Sequence, residues 1–428
     1  MPHLEFEYYK CYSRGRYGLT HLTHLTPFVK RPYFSGGTVA CPASGTELES
    51  LLDRLTAATL RINRFDILSR YQDHNSSPST RNMHSCQLLF VIDGNVHFYD
   101  LYEDRFYLTD SEKLGREWDR DAVYVIGLSD LLNISRYYGE FSLYLSLLDA
   151  GHVLGNAKNA LTAADIPYVT YESPGAKGVL DRLGTPTDSL YASFMLELER
   201  PAGEMELRGT PRTGRIPTLK RFDELKPTIF VSPLLRKFRF ASAKGRKQAE
   251  HRPPREALPI ERLRSSAHTM IGNFNLSERF ERFKAEEARR VLLDAVRQSS
   301  NPALRFCIAE RHRLLMDDGS VKNGPIDFGR ILHNDHEFFD LSTYSYVVVC
   351  FSEDRRIEDC GLLPVLLAAG ELMQAACLYS AGQGYAFRPM KNHNDEYLKE
   401  VLELNDGWEI NYIGVLCGSE VTPLRCVL

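Results

Sequence analysis

At 428 residues the chain has room for two domains with separate cores, and 43% hydrophobic with 25% charged residues is the composition of a globular protein. A formal charge of −4 argues against nucleic acid as the main partner, and no apolar run approaches the roughly 20 residues of a membrane span. The start, MPHLEFEYYKCYSRGRYG, is acidic and aromatic where a secretory signal needs a basic and then an apolar stretch, so a cytoplasmic location is expected; nine cysteines scattered singly, with no CxxC pair, fit reduced thiols better than disulfides or zinc.

Residues 1 to about 45 show neither helical nor strand period and are expected to form an extended arm. His21 and His24 stand three apart with no further ligand nearby, so a metal site is not expected there. ELESLLDRLTAATLRI, from Glu47, places Leu48, Leu51, Leu52 and Leu55 on one face of an amphipathic helix. After the polar loop YQDHNSSPSTRN, the runs QLLFVID, GNVHFYDLY and RFYLT predict a β-hairpin or meander, and AVYVIGLS a buried strand. Then comes a long helix within Arg136–Tyr168. Leu147, Leu154 and Leu161 recur every seven residues, with Ala150, Ala157 and Ala164 three places after each, a pattern of large and small layers that lets a second helix approach closely along a narrow seam.

Gly175–Leu183 reads as a loop with a short helix, and SLYASFMLELE as a closing strand that ends a first domain near Arg200. Residues 203–256 hold 14 Lys or Arg against 6 Asp or Glu, a basic connector with only TIFVSPLL resembling structure. It is either a solvated linker or a docking surface for an acidic peptide or other polyanion. A second domain follows with the helix FERFKAEEARRVLLDAV, the loop SSNPALRF, the strand YSYVVVCF, a second apolar helix and the strand WEINYIGVL; His333 and His336 in HNDHE read as solvated histidines.

The second apolar helix, LLAAGELMQAACLYSAGQGYAF, aligns without a gap on LLDAGHVLGNAKNALTAADIPY, so that Leu366, Ala369, Met373 and Ala376 take the places of Leu147, Ala150, Leu154 and Ala157. NSSPSTRNMHSCQLLFVIDG also echoes SSNPALRFCIAERHRLLMDDG at nearly the same offset. The reading is an internal duplication, an α+β fold repeated as a pseudo-dimer: 1–202, a linker 203–256, and 257–428. Two unrelated buried helices are the alternative.

Two loops are chemically suggestive. RSSAH, Arg264–His268, gathers a guanidinium, hydroxyls and an imidazole ahead of a helical segment, suited to a phosphate. SPSTRN, Ser77–Asn82, offers hydroxyls, an amide and backbone N–H groups for the edge of a flat polar ring. With LLDAGHVLGN, Leu147–Asn156, these loops resemble the nitroreductase-like flavoproteins, and within them the SagB-type dehydrogenases that oxidise peptide azolines to azoles. The helix matches the family's D/E-A-G-H-x-x-Q-N pattern except at Gly155, SPSTRN matches its S-P-S-S-x-N loop, and RSSAHTM loosely matches its R-R-S-x-R-x-F arm.

The resemblance implies two tandem nitroreductase-like domains and FMN as cofactor. The first copy keeps the S-P-S loop without the arm, and the second keeps the arm with NPALRF in place of the loop, so one composite FMN site is implied, made by Pro78, Ser79 and Asn82 with Arg264, Ser266 and His268. Arg388, Lys391 and Arg425 are candidate phosphate partners. The family's Lys-Tyr-Gly triplet corresponds here to Tyr137, Tyr138 and Gly139, and in the second copy to Arg356, Ile357 and Glu358, with lysine missing from both. Tyr138 and Tyr137 are then the acid/base candidates, if a cation such as Arg136 assists the phenol, whose ordinary pKa is about 10; buried structural tyrosines are the alternative. The implied function is an FMN-dependent dehydrogenase of a modified peptide natural product, working with biosynthetic partner enzymes. A reductase of a small electron-poor molecule or dehydroamino acid, and a flavin-binding protein without catalysis, are the other readings.

Overall fold

The computed structural model describes residues 2–13, 37–66, 73–108, 118–172, 190–212, 234, 258, 283–299, 304–332, 346–417 and 425–427. Its elements in chain order are α1 (Pro2–Ser13), β1 (Gly37–Pro42), α2 (Glu47–Thr59), β2 (Arg64–Asp66), β3 (Asp73–His74), β4 (Cys86–Ile92), β5 (Asn95–Asp100), β6 (Arg105–Leu108), β7 (Ala122–Asp130), α3 (Leu132–Tyr138), α4 (Phe141–Ala163), β8 (Tyr168–Glu172), β9 (Leu190–Glu199) and β10 (Met205–Arg212). They continue with α5 (Ala285–Gln298), β11 (Leu304–Glu310), β12 (Arg313–Met316), β13 (Val321–Asn323), β14 (Val347–Glu353), α6 (Arg355–Cys360), α7 (Leu362–Gly382), β15 (Ala386–Met390), α8 (Asp395–Leu402), β16 (Trp408–Cys417) and β17 (Arg425–Val427).

The chain divides into two compact units that are not consecutive stretches. The first holds residues 16–62 and 79–253; the second holds 1–15, 63–78 and 254–428. This differs from a division at 1–202, 203–256 and 257–428, and α1 shows why. Its Glu5 carboxylate accepts from the Leu362 amide at the start of α7, Tyr9 hydrogen-bonds Ser352 at 3.1 Å, and Lys10 is paired with Asp354 and Glu409. These partners all belong to the second unit. Nor is the N-terminus an extended arm throughout: Pro2–Ser13 is helical, and it shows no apolar period because its buried positions are Glu5, Tyr8, Tyr9, Tyr12 and Ser13, fixed as much by polar bonds as by greasy contact.

In the first unit an eight-stranded sheet runs β10-β1-β6-β5-β4-β7-β9-β8, antiparallel at every pairing. The meander and the closing strand lie where the alternation predicts. β10 does not: Met205–Arg212, read as connector, pairs with β1, with Glu206 and Arg208 exposed on a sheet edge. α2 has Thr46 as its N-cap, the hydroxyl accepting from the Glu49 amide at 3.2 Å, and buries Leu48, Leu51, Leu52 and Leu55. Each of those leucines contributes about 1.5–3 kcal/mol by leaving water.

In the second unit the sheet is β13-β12-β11-β14-β16-β15, again antiparallel, with a small sheet β17-β2-β3 beside it in the same unit. This order repeats β6-β5-β4-β7-β9-β8 element for element, and α2, α3 and α4 recur as α5, α6 and α7. The bulges repeat as well. β7 slips against β9 between Gly127 and Leu128, and β14 slips against β16 between Cys350 and Phe351, with Ser129 and Ser352 next but one beyond each slip.

The duplication therefore stands on pairing geometry, and that geometry corrects two details. Cys86 faces Ser129 and Leu304 faces Ser352, so β4 corresponds to β11 and the Asp93-Gly94 turn to the turn at Arg311-His312, not to Asp318-Gly319. The breaks before the long helices fall at Gly139 (φ 52°) and Gly361 (φ 86°), conformations glycine adopts freely, which sets Tyr137 and Tyr138 opposite Asp359 and Cys360 instead of Arg356 and Ile357.

The long helices are buried nearly all round instead of along one seam. Leu147, Leu154, Leu161, Ala150 and Ala157 are inaccessible, and so are Ser142, Ser146 and Asn156 on other faces. Inside its own unit α4 packs on α2 and the sheet strands β4, β7 and β9, and α7 packs on α5 and on β15 and β16. α7, at 21 residues, is long and apolar enough to cross a bilayer, which corrects the reading that no such run exists; 94% of its most apolar stretch is buried in the protein, as befits a core helix.

Candidate functional site

The SPSTRN loop is built differently on its two sides. In the second unit, the Asn75 side chain accepts from the Ser77 amide at 3.1 Å, Asn63 donates to the Ser76 hydroxyl at 3.1 Å, and Gln374 of α7 donates to the Ser76 carbonyl at 3.3 Å. Pro78 is half-buried at the end of this run. In the first unit, Ser79 opens a 3₁₀ turn over Thr80–Asn82, and its hydroxyl accepts from the His84 amide at 3.2 Å. Arg81, Asn82 and His84 all take left-handed backbone conformations, with φ of 50°, 56° and 50°. Such strain in non-glycine residues persists only where the surroundings impose it, and it gathers at functional loops.

The residues on either side of this stretch, Thr80 and Ser85, are bonded to Asp149. This α4 carboxylate, 3% exposed, accepts from the Thr80 amide at 3.0 Å to each oxygen, from the Thr80 hydroxyl at 3.0 Å and from the Ser85 hydroxyl at 2.9 Å. Burial pushes its pKa from 3.8 up to about 7, against the lowering effect of those bonds. Burial also pushes up the neighbouring Cys86 thiol on β4, and the charge of Asp149 adds to that.

On the exposed side of the turn, Arg81 Nε donates to the Tyr138 phenol oxygen at 3.0 Å, and its guanidinium lies 4.9 Å from the centre of the Tyr137 ring and 5.5 Å from that of Tyr138. Both tyrosines are half-buried at the end of α3, and Phe141 meets Tyr138 edge-on. The cation beside the phenol is thus Arg81, from a loop more than fifty residues earlier in the chain; the side chain of Arg136 lies outside the described residues.

Ser79, Asn82, Tyr137 and Tyr138 are brought together in one unit. Arg264, Ser266 and His268 lie outside the described residues, as do His21, His24, His333 and His336 and the side chain of Arg425, whose backbone pairs with Asp66 in β17. Arg388 sits half-buried on β15 opposite Val415. Lys391 is 8% exposed, its ammonium donating to the Ile410 carbonyl at 2.9 Å and lying 3.1 Å from His393.

Asp149 and Arg81 were missed as site residues, although the first had a signal. Asp149, His152 and Asn156 stand at i, i+3 and i+7 on a largely apolar helix, all nearly inaccessible, where the second copy has Ala368, Glu371 and Ala375. A polar stripe on a buried helix needs partners, and Thr80 and Ser85 are those of Asp149.

No protein-family model matches the chain, and no curated protein matches it. Among solved structures, a protein from Anabaena variabilis described as a nitroreductase is similar over 97% of this chain and 99% of its own, with a TM-score of 0.64 at 14% identity. The chain has the nitroreductase fold. Two further structures, a Ralstonia eutropha nitroreductase (13% identity, 45% of this chain and 84% of the other, TM-score 0.30) and the E. coli microcin synthetase complex McbBCD (13%, 41% and 79%, 0.26), overlap too loosely to add to this. Within the nitroreductase fold the loop and the two tyrosines form one constellation, carried by the first copy.

Proposed function

We propose that the chain is an FMN-dependent oxidoreductase, a dehydrogenase that oxidises a modified peptide intermediate such as an azoline to an azole alongside other biosynthetic enzymes. The observation that carries this reading is the strained turn Thr80–Asn82, which sets Arg81 against the Tyr138 phenol. The donor set fits the ring of a flavin: Ser79 and Asn82 supply a hydroxyl and an amide for its polar edge, and Pro78 an apolar neighbour. Arg264, Ser266 and His268 belong to the proposal as partners of the phosphate end through their motif positions alone, with Arg388 and Arg425 as further candidates. Lys391, with its ammonium engaged by a carbonyl and a histidine, is a weaker partner. When bound, FMN supplies the acceptor for a hydride.

The protein's own part is the proton. Converting an azoline to an azole removes a hydride and a proton, and the Tyr138 oxygen, in its deprotonated form, is the group that takes the proton from carbon. A guanidinium donating to the phenol oxygen favours the form in which that oxygen carries charge. Tyr137, stacked under the same guanidinium, holds it in place.

The test is Tyr138→Phe, which removes one hydroxyl. FMN should stay bound while turnover of a verified azoline peptide falls by roughly 10²–10⁴. Tyr137→Phe is the control. Full activity in the double variant, or a wild-type chain that binds no FMN, contradicts the proposal. The missing lysine favours reduction of a small electron-poor molecule as a second reading. Turnover of such an acceptor with a nicotinamide donor, unaffected by Tyr138→Phe, would select it; flavin binding with neither activity would leave a flavin-holding protein.

A further inference from the structure

We propose that Asp149 is a positioning residue for this loop: its carboxylate sets the turn Thr80–Asn82, and so decides where Ser79, Arg81 and Asn82 stand toward a bound flavin. The inference rests on the FMN reading for its consequence, though not for its geometry. Ser79, the residue that would ordinarily cap the turn, makes no side-chain capping bond to it. The capping role passes to Asp149, whose two oxygens both receive the Thr80 amide at 3.0 Å. The carboxylate then binds the loop twice more, through Thr80 Oγ and Ser85 Oγ, so that the residues on either side of the left-handed stretch are tied to one rigid point on α4.

Between those ties, Arg81 and Asn82 have little choice of backbone, and the Arg81 side chain is aimed at Tyr138 as a result. The second copy supplies the contrast. Ala368 stands at the position of Asp149, and only residues 299–303 connect α5 to β11, so the acceptor is absent and so is the long loop it would hold. A carboxylate kept merely for helix stability would have no reason to coincide with the loop.

The test compares Asp149→Ala with Asp149→Asn in the full chain. In the protein without FMN, hydrogen exchange of a peptide covering residues 79–85 should speed up roughly 10- to 100-fold in Asp149→Ala, with β7 and β9 unchanged, and FMN should bind about 10-fold or more weakly. Asp149→Asn keeps an acceptor oxygen and should restore both to within about threefold of wild type. Unchanged loop exchange and FMN affinity in Asp149→Ala overturn the proposal. If Asp149→Ala does not fold, Thr80→Val/Ser85→Ala decides by the same readouts, since it removes two of the donors and leaves the helix intact. A wild-type chain that binds no FMN defeats the FMN reading, and the exchange result still judges the latch.

Discussion

The two copies of the fold meet the same problem at the same place and solve it differently. In the first copy the bulge between β7 and β9 satisfies itself: Ser129 bonds Ser193, and Tyr191 bonds Ser146 of α4 at 2.7 Å. In the second copy the matching positions are Ser352, Asn411 and Glu409, and α1 bonds all three. Tyr9 bridges Ser352 and Asn411, and Lys10, with Lys399, neutralises the inaccessible Glu409. The first copy bonds its bulge from within and has a polar loop bonded to Asp149, while the second has only residues 299–303 at the loop position and bonds its bulge to α1. The copy that carries the candidate chemistry is the one that needs no help with its bulge.

Removing residues 1–13 is the severest way to break this comparison. It uncaps α7 at Leu362, strips the bulge of Tyr9 and removes Lys10 from the buried Glu409, so the second unit should lose more than about 5 kcal/mol. Thermal unfolding should then show the second unit melting well before the first; an unaltered melt would refute the dependence.

The next effect belongs to the first copy and concerns pH. The Asp149 pKa is raised to about 7, so the native state holds a proton that the unfolded chain releases near 3.8. Stability from this group is full below about pH 4 and falls, by about 4 kcal/mol in total, as pH rises to about 7 and beyond. Asp149→Asn cannot ionise, so urea unfolding at pH 4 and pH 8 should show it gaining on wild type by up to that amount. Parallel profiles would mean that the carboxylate is not the group responsible.

Smaller effects sharpen the contrast. Leu154→Ala empties a wholly buried position on α4 and should cost 2–5 kcal/mol, and its counterpart Met373→Ala on α7 a similar amount; each would be read by urea unfolding. Ser352→Ala should cost about 1 kcal/mol in the full chain and nearly nothing once α1 is deleted, because Tyr9 is then gone. An equal cost in both backgrounds would deny the coupling.

Much of this was legible in the chain, and what was not has definite causes. Heptad leucines and alanines gave both long helices and their alignment, because burial of a helix leaves a period in its apolar residues. Leu48, Leu51, Leu52 and Leu55 gave α2 for the same reason. α1 was illegible because its buried residues are three tyrosines, a serine and a glutamate, and β10 because a charged edge strand looks like a linker. The Asp-Gly turns misled the loop alignment, since a turn signal says that a hairpin is present and not which one. At the candidate site, Tyr137, Tyr138, Ser79 and Asn82 were proposed from motif, and the structure places them in one unit. Arg81 was not, because its contact to Tyr138 crosses 57 positions of sequence and follows from the left-handed turn.

The central claim is that one copy alone retains a cofactor loop, and flavin stoichiometry tests it most directly. The full chain, saturated with FMN and freed of excess, should hold about one flavin per polypeptide; two tightly held flavins, or none, would contradict the account.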